Sequence, residues 1–168
     1  MKTVKFLLPL LLFALPAAAA AKSGDRDQPI EVEADSLEVR DDENISVYEG
    51  NVRLVQGSLE INSDRLVIRF NQARELELME MTGTPARFRQ LDDDDREMLG
   101  RARQINYSGS GSMLELFDEA YFSHAGDTIE GDRILINTDD NSIQAGSDDS
   151  SERVKMLIQP RQQTAPAE

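Results

Sequence analysis

Ile30-Glu-Val-Glu-Ala-Asp-Ser-Leu-Glu-Val-Arg40 alternates apolar and polar residues in two short runs, which Ala34 and Asp35 separate. Alternation with a period of two is typical of a β-strand that has one buried and one solvated face. The segment therefore predicts two strands that meet at a corner of small residues.

The same unit recurs along the chain. Leu59–Arg69 aligns with it closely, Ile129–Ile136 is a third copy, and a weaker copy ends in Arg103–Tyr107. A repeated unit that cannot bury its apolar face alone stacks on its neighbours, so the repeat suggests hairpins that share one continuous apolar interior. The positions taken as equivalent in the four copies are Asp35, Asp64, Arg103 and Asp132.

Alternating runs and turn residues follow one another over most of the chain, and no segment has a convincing amphipathic helical pattern. The prediction is an all-β protein with a single domain. Many inward positions are aliphatic and few are aromatic, which fits either an ordinary closed sandwich core or a ligand cavity. The further alternating runs are Val52–Leu54, Leu66–Ile68, Leu76–Leu78 and Leu114–Leu116.

Composition excludes several classes of function. The 168 residues include 32 acidic and 18 basic side chains, for a net charge of −14, which argues against a nucleic-acid binder. The chain has no cysteine, so disulfides, thiolate catalysis and thiolate metal sites are excluded. A single histidine, His124, excludes a histidine-rich metal site.

Residues 1–21 have the features of a secretory signal peptide. Lys2 and Lys5 precede the apolar run Phe6–Leu15, and Ala19-Ala20-Ala21 provides a small-residue cleavage site before Lys22. A membrane anchor is the alternative, but the apolar run is shorter than the ~20 residues that span a bilayer, and prolines interrupt it. We expect cleavage near Ala21 and export, to the periplasm if the cell is Gram-negative.

No catalytic or metal-binding constellation is evident. His124 follows Ser123 near a turn and is predicted to be a surface loop histidine. The acidic run Asp92–Asp95 lacks the spacing of a calcium loop and is predicted to be solvated. A carboxylate pair that hydrolyses polysaccharide remains open, because its two members need not be close in sequence.

An ordered set of segments resembles the LptA (OstA-like) family of periplasmic lipopolysaccharide-transport proteins. Together the segments cover the chain from about residue 25 to residue 160. They are Asp27–Ile30, Glu33–Asp35, Tyr48–Val52, Gln56–Gly57, Ile61–Asp64, Gly83–Phe88, Glu119–Tyr121, Ile129–Asp132 and Arg153–Pro160.

The resemblance implies a single open, twisted β-jellyroll of many short antiparallel strands over residues 22–158, with a disordered tail at 159–168. It implies a non-enzymatic protein without cofactor or metal that stacks head to tail and carries lipopolysaccharide acyl chains in an apolar groove. The implied partners are lipopolysaccharide, a second copy, the inner-membrane anchored jellyroll protein LptC and the outer-membrane assembly protein LptD. The competing interpretation is a periplasmic β-scaffold that binds carbohydrate or acts on envelope polysaccharide.

The inward members of the alternating pairs are the candidate groove residues, because a slip of one residue would turn their charged neighbours inward. They are Ile30, Val32, Leu37, Val39, Val52, Leu54, Ile61, Leu66, Ile68, Phe88, Ile105, Tyr107, Leu116, Ile129, Ile134 and Ile136.

A jellyroll that does not close leaves unpaired backbone groups on its terminal strands, and another chain can pair with them. The N-terminal edge is predicted at Gln28, Pro29, Ile30, Glu31, Val32 and Glu33, and the C-terminal edge at Ile143, Ala145, Val154, Met156 and Ile158.

Overall fold

The computed structural model describes residues 22, 24–109, 113–137, 142–146 and 153–160, so the predicted signal peptide and most of the predicted tail lie outside it. Its only helical segment is a single 3-10 turn, and no described helix is long and apolar enough to cross a membrane. The ten strands are β1 (Glu31–Glu33), β2 (Ser36–Arg40), β3 (Ile45–Gln56), β4 (Leu59–Phe70), β5 (Leu76–Leu91), β6 (Glu97–Ser108), β7 (Met113–His124), β8 (Asp127–Asn137), β9 (Ser142–Ala145) and β10 (Lys155–Leu157).

All ten strands belong to one antiparallel sheet. β3 to β8 pair in sequence order, β1 and β2 both pair with β3, and β9 and β10 both pair with β8. The two terminal pairs of strands do not pair with each other, so the described sheet stays open. The predicted all-β, open jellyroll class is confirmed.

The central strands are longer than the short strands expected, because each continues through a bend. The register shifts at one level across the sheet, between Glu49 and Val52 in β3 and at matching points as far as β7. Gly50 stands at this level with φ 80°, where a side chain would also collide with the Asp35 carboxylate. Bulges of this kind bend a strand without ending it.

The bend folds the sheet into two halves whose inner faces pack together. We call the half with β1 and β10 the β1 half and the half with β2 and β9 the β2 half. Ala86, Ala102, Ala120 and Gly131 lie at the bend, where small residues allow the close approach of the two halves. The four positions taken as equivalent in the repeat also fall at this level, so the predicted small-residue corner is this bend.

Side-chain packing alone joins the two halves on the side opposite the bend. The turns of the β1 half and those of the β2 half end the strands in opposite directions along the chain. None of the described backbone hydrogen bonds at turns and loops connects one set of turns to the other. The halves can therefore separate on this side without the loss of a backbone hydrogen bond. We call this side the mouth.

Candidate functional site

Three rows of side chains cross the inner face from one edge of the sheet to the other. Residues paired in register point to the same face, so each row follows from the strand pairing. Apart from Ser46 and Gly100, every member is aliphatic, aromatic or methionine. Row A is Leu37, Tyr48, Leu66, Met81, Ile105, Leu116, Ile134 and Ala145; row B is Val39, Ser46, Ile68, Met79, Tyr107, Leu114, Ile136 and Ile143; row C is Val32, Leu54, Ile61, Phe88, Gly100, Phe122, Ile129 and Met156.

Most of the predicted groove residues lie in this interior. Val32 and Tyr107 are partly buried and pack against the central cluster. The buried ones are Val52, Leu54, Ile61, Leu66, Ile68, Phe88, Ile105, Leu116, Ile129, Ile134 and Ile136.

Three predicted groove residues are instead exposed in the single chain. Leu37 and Val39 lie on inner rows but are 56% and 57% exposed, because β2 is an edge strand with nothing beyond it. Ile30 precedes β1 and is 46% exposed. Their alternation predicted the face on which Leu37 and Val39 lie, but not whether another strand covers it.

Sequence reasoning missed several interior residues, including Met79 and Met81. Leu76 and Leu78 were expected to face the same side, but a register irregularity beside Phe70 places Leu78 on the outer face. Met79 and Met81, each 1% exposed, take the inner positions. Their own alternation around Glu80 was the signal that could have identified them.

Row C contains a close contact between a glycine and an aromatic ring. The Phe88 ring occupies the space where a side chain of Gly100 would lie, and it stacks on Phe122 with the ring centroids 6.4 Å apart. The absence of a side chain at Gly100 is therefore a packing requirement, since an added methyl group would collide with the ring.

Gly100→Ala is expected to destabilise the fold by about 1–3 kcal/mol, the usual cost of overpacking a core. Urea unfolding followed by circular dichroism measures the loss. Gly131→Ala is the control, because its added Cβ would lie 3.6 Å from Val154 Cγ2, an ordinary contact. Equal stability of the two variants would contradict the packing argument.

Both ends of the interior rows are open to solvent. All large hydrophobic residues that are exposed, among those described, lie on or beside the terminal strands. At the N-terminal edge they are Ile30, Leu37 and Val39; at the C-terminal edge they are Ile143, Val154, Met156, Leu157 and Ile158. Exposed apolar residues that cluster at two edges mark surfaces for association.

The predicted edges correspond to the terminal strands with one addition. Ile143 and Ala145 belong to β9 and Met156 to β10, while Val154 and Ile158 flank β10. At the other end β1 begins only at Glu31, so residues 28–30 lead into the strand. β2 forms the rest of the N-terminal edge, which the sequence prediction left out.

The N-terminal lead-in is attached to the β1 half through Asp25. This residue is 7% exposed and accepts hydrogen bonds from the Ser58 amide at 2.9 Å, the Ser58 hydroxyl at 2.6 Å and Gln90 Nε2 at 3.1 Å. Burial raises the pKa of Asp25, but these hydrogen bonds outweigh it and leave the pKa below its usual value.

The acidic run and the histidine correct two predictions. Asp92, expected to be solvated, is 2% exposed, and His124, expected in a surface loop, is the last residue of β7 with a side chain only 12% exposed. His124 Nε2 lies 2.8 Å from Asp92 Oδ2, which also accepts from Arg96 Nε at 2.8 Å. The amides of Asp94 and Arg96 donate to Asp92 Oδ1.

Hydrogen bonds determine the charge of Asp92. Burial raises its pKa, but the hydrogen bonds from His124, Arg96 and Asp94 outweigh burial and hold the pKa far below its ordinary value. The group is fully engaged within the protein. No cluster of three or more potential metal-ligating side chains occurs among the described residues.

The clearest concave surfaces are polar and lie outside the interior rows. One pocket of about 240 Å³ is lined by Arg101, Tyr121, Arg153 and Lys155 among others. Another, of about 430 Å³, surrounds Asp25 and Ser58. The interior itself is filled by side chains, so a ligand there would have to separate the two halves.

These features define a class: an open antiparallel jellyroll with a continuous apolar interior that reaches both edges of its sheet. The sequence model of the family described as "LptA/(LptD N-terminal domain) LPS transport protein" matches residues 31–142. The chain belongs to this family.

Individual relatives agree with this assignment. The lipopolysaccharide export system protein LptA of Escherichia coli K12 is 32% identical over 166 residues, 96% of this chain and 89% of that protein. LptH of Pseudomonas aeruginosa PAO1, also an export system protein, is 31% identical over 90% of this chain and 93% of its own. The crystal structure of LptH, described as the LptA homologous periplasmic component of the lipopolysaccharide transport device, superposes with a TM-score of 0.72 at 29% identity and covers 81% of this chain and 99% of that one.

Proposed function

We propose that this chain is a periplasmic, non-enzymatic carrier that holds lipopolysaccharide by its acyl chains between the two halves of the sheet. Cleavage near Ala21 would release it as an exported protein with a jellyroll body over residues 22–158. The observation that carries the proposal is the set of three apolar rows that run from edge to edge and end in exposed hydrophobic residues.

The mouth gives acyl chains a route to these rows. Separation of the halves exposes apolar side chains and breaks none of the described backbone hydrogen bonds. Each methylene that replaces the lost contacts contributes about 0.8 kcal/mol. Because aliphatic contacts are non-directional, an acyl chain could slide along a row with little change in free energy.

Stacking would extend the rows from one protein to the next. We propose that the C-terminal edge of one copy pairs with the N-terminal edge of another. LptC and LptD would occupy the two ends of such a chain. Joining unlike edges is a heterologous contact, which produces an open chain rather than a closed dimer.

Photo-crosslinking tests the position of the lipid. Crosslinkers at Val32 and Phe88, which lie on row C, are expected to capture lipopolysaccharide. Crosslinkers at Glu31 and Arg87, one residue away and on the outer face, are the matched controls and are expected to capture little. Equal labelling at both pairs of positions would contradict an interior binding site.

A lipid-binding assay separates this function from the carbohydrate-related alternatives. The carrier is expected to retain lipid A and to release the deacylated core sugar, because binding depends on acyl chains. Retention of the sugar alone would favour a carbohydrate-binding scaffold. Release of hydrolysis products would favour an enzyme.

A further inference from the structure

Ion pairs link neighbouring strands across the outer face of the sheet. In six cases an arginine on one strand contacts a glutamate on the next, with the charged atoms 2.5–3.1 Å apart. Each glutamate thus has its partner on an adjacent strand. The six pairs are Arg53–Glu60, Arg65–Glu49, Arg69–Glu80, Arg89–Glu97, Arg103–Glu119 and Arg133–Glu115.

The N-terminal edge has acidic residues that lack such a partner. Glu31 and Glu33 are exposed on the outer side of β1, and neither forms an ion pair with a described residue. Beyond β1 there is no further strand to supply an arginine. Two negative charges therefore face outward at the position where another strand would pair.

The C-terminal edge has the opposite charge. Arg153 and Lys155 are exposed and form no ion pair with any residue that the structure describes. They line one pocket with Arg101, whose guanidinium lies 4.3 Å from the centre of the Tyr121 ring. Glu130 is opposite Lys155 in register, so the edge is not purely basic, but the cations there outnumber it.

One register row connects the two edges. It begins at Glu33 on β1, crosses six strands on the outer face and ends at Lys155 on β10. The adjacent row C begins at Val32 and ends at Met156. A second copy that continues the sheet would therefore bring Glu33 next to Lys155 outside and Val32 next to Met156 inside.

We propose that this outer charge pattern, with Glu31 and Glu33 at one edge and Arg153 and Lys155 at the other, restricts docking of a second copy to the head-to-tail direction. The inference rests on the stacking in the proposed function. Head-to-head contact would oppose two acidic edges and tail-to-tail contact two basic ones, and like charges in contact are strongly disfavoured. Apolar rows alone do not distinguish these arrangements.

Glu33→Lys tests the pattern because the local and the overall effects of charge have opposite signs. The substitution makes a chain of net charge −14 less negative, which by overall repulsion should favour association. The proposal instead predicts an association constant at least about fivefold lower, measured by light scattering at low ionic strength. Glu77→Lys, an exposed position in β5 far from both edges in strand order, changes the charge equally and is expected to cause no loss.

The double variant with Glu33→Lys and Lys155→Glu restores opposite charges at the edges and the original net charge. It is expected to recover association, whereas Lys155→Glu alone is expected to lose it. Wild-type association with no difference between Glu33→Lys and Glu77→Lys would overturn the charge inference and leave stacking intact. A wild-type chain that stays monomeric at every concentration, even with the jellyroll partner, would overturn stacking itself.

Discussion

Leu37→Asp is expected to leave the isolated chain folded and to abolish its end-to-end association. Leu37 is 56% exposed, so a carboxylate there stays solvated in the monomer and costs little stability. In a stack the same position would be covered by the row A residue Ala145 of a second copy. Burial of an unpaired carboxylate would cost about 3 kcal/mol or more, which is roughly a hundredfold in the association constant.

Ser36→Asp is the matched control for this experiment. It adds the same charge to the same strand, but on the outer face, where solvent remains accessible. Light scattering gives the association constant, and circular dichroism confirms that both variants fold. Association of Leu37→Asp at the wild-type level would show that the exposed inner rows are not the interface.

Asp92→Asn is expected to cost about 2–3 kcal/mol of folding stability at neutral pH, because an amide cannot accept all four hydrogen bonds now made to the carboxylate. The loss should diminish as the pH falls below about 4. There the unfolded chain binds a proton at Asp92 while the folded chain resists it, so the wild type loses this contribution.

Urea unfolding at pH 7 and at pH 3 measures the difference between the two proteins. Asp94→Asn is the control, because the Asp94 side chain is 71% exposed and its contact with Arg96 is a surface ion pair worth at most about 1 kcal/mol. A difference between wild type and Asp92→Asn that does not change between the two pH values would rule out the depressed pKa of Asp92 as its cause.

Alternation along the sequence predicted the class of fold and most of the interior. It succeeded for residues such as Leu54, Ile105 and Ile134 because the pleat converts sequence parity directly into a choice of face. The repeat also predicted the corner of small residues. These are local properties, which a pattern of a few residues contains in full.

The failures concern properties that depend on distant parts of the chain. Whether Leu37 and Val39 are covered depends on which strands follow them in the sheet, and parity carries no such information. The bulge beside Phe70 shifts the parity of β5 and so misled the assignment of Leu78. Asp92 meets His124 across 32 residues of sequence, a pairing that neither local pattern contains.

The bend has a consequence for which strands can be accepted at the edges. It divides the N-terminal edge at Ala34 and Asp35 into segments of three and five residues, where Asp35 accepts a hydrogen bond from Asn51 and donates its amide to Gly50. A straight strand from an unrelated protein can follow only one segment before the edge turns away from it. Only an edge folded to the same angle matches both segments, so the shape of the edge itself discriminates jellyroll partners from the extended segments of other proteins.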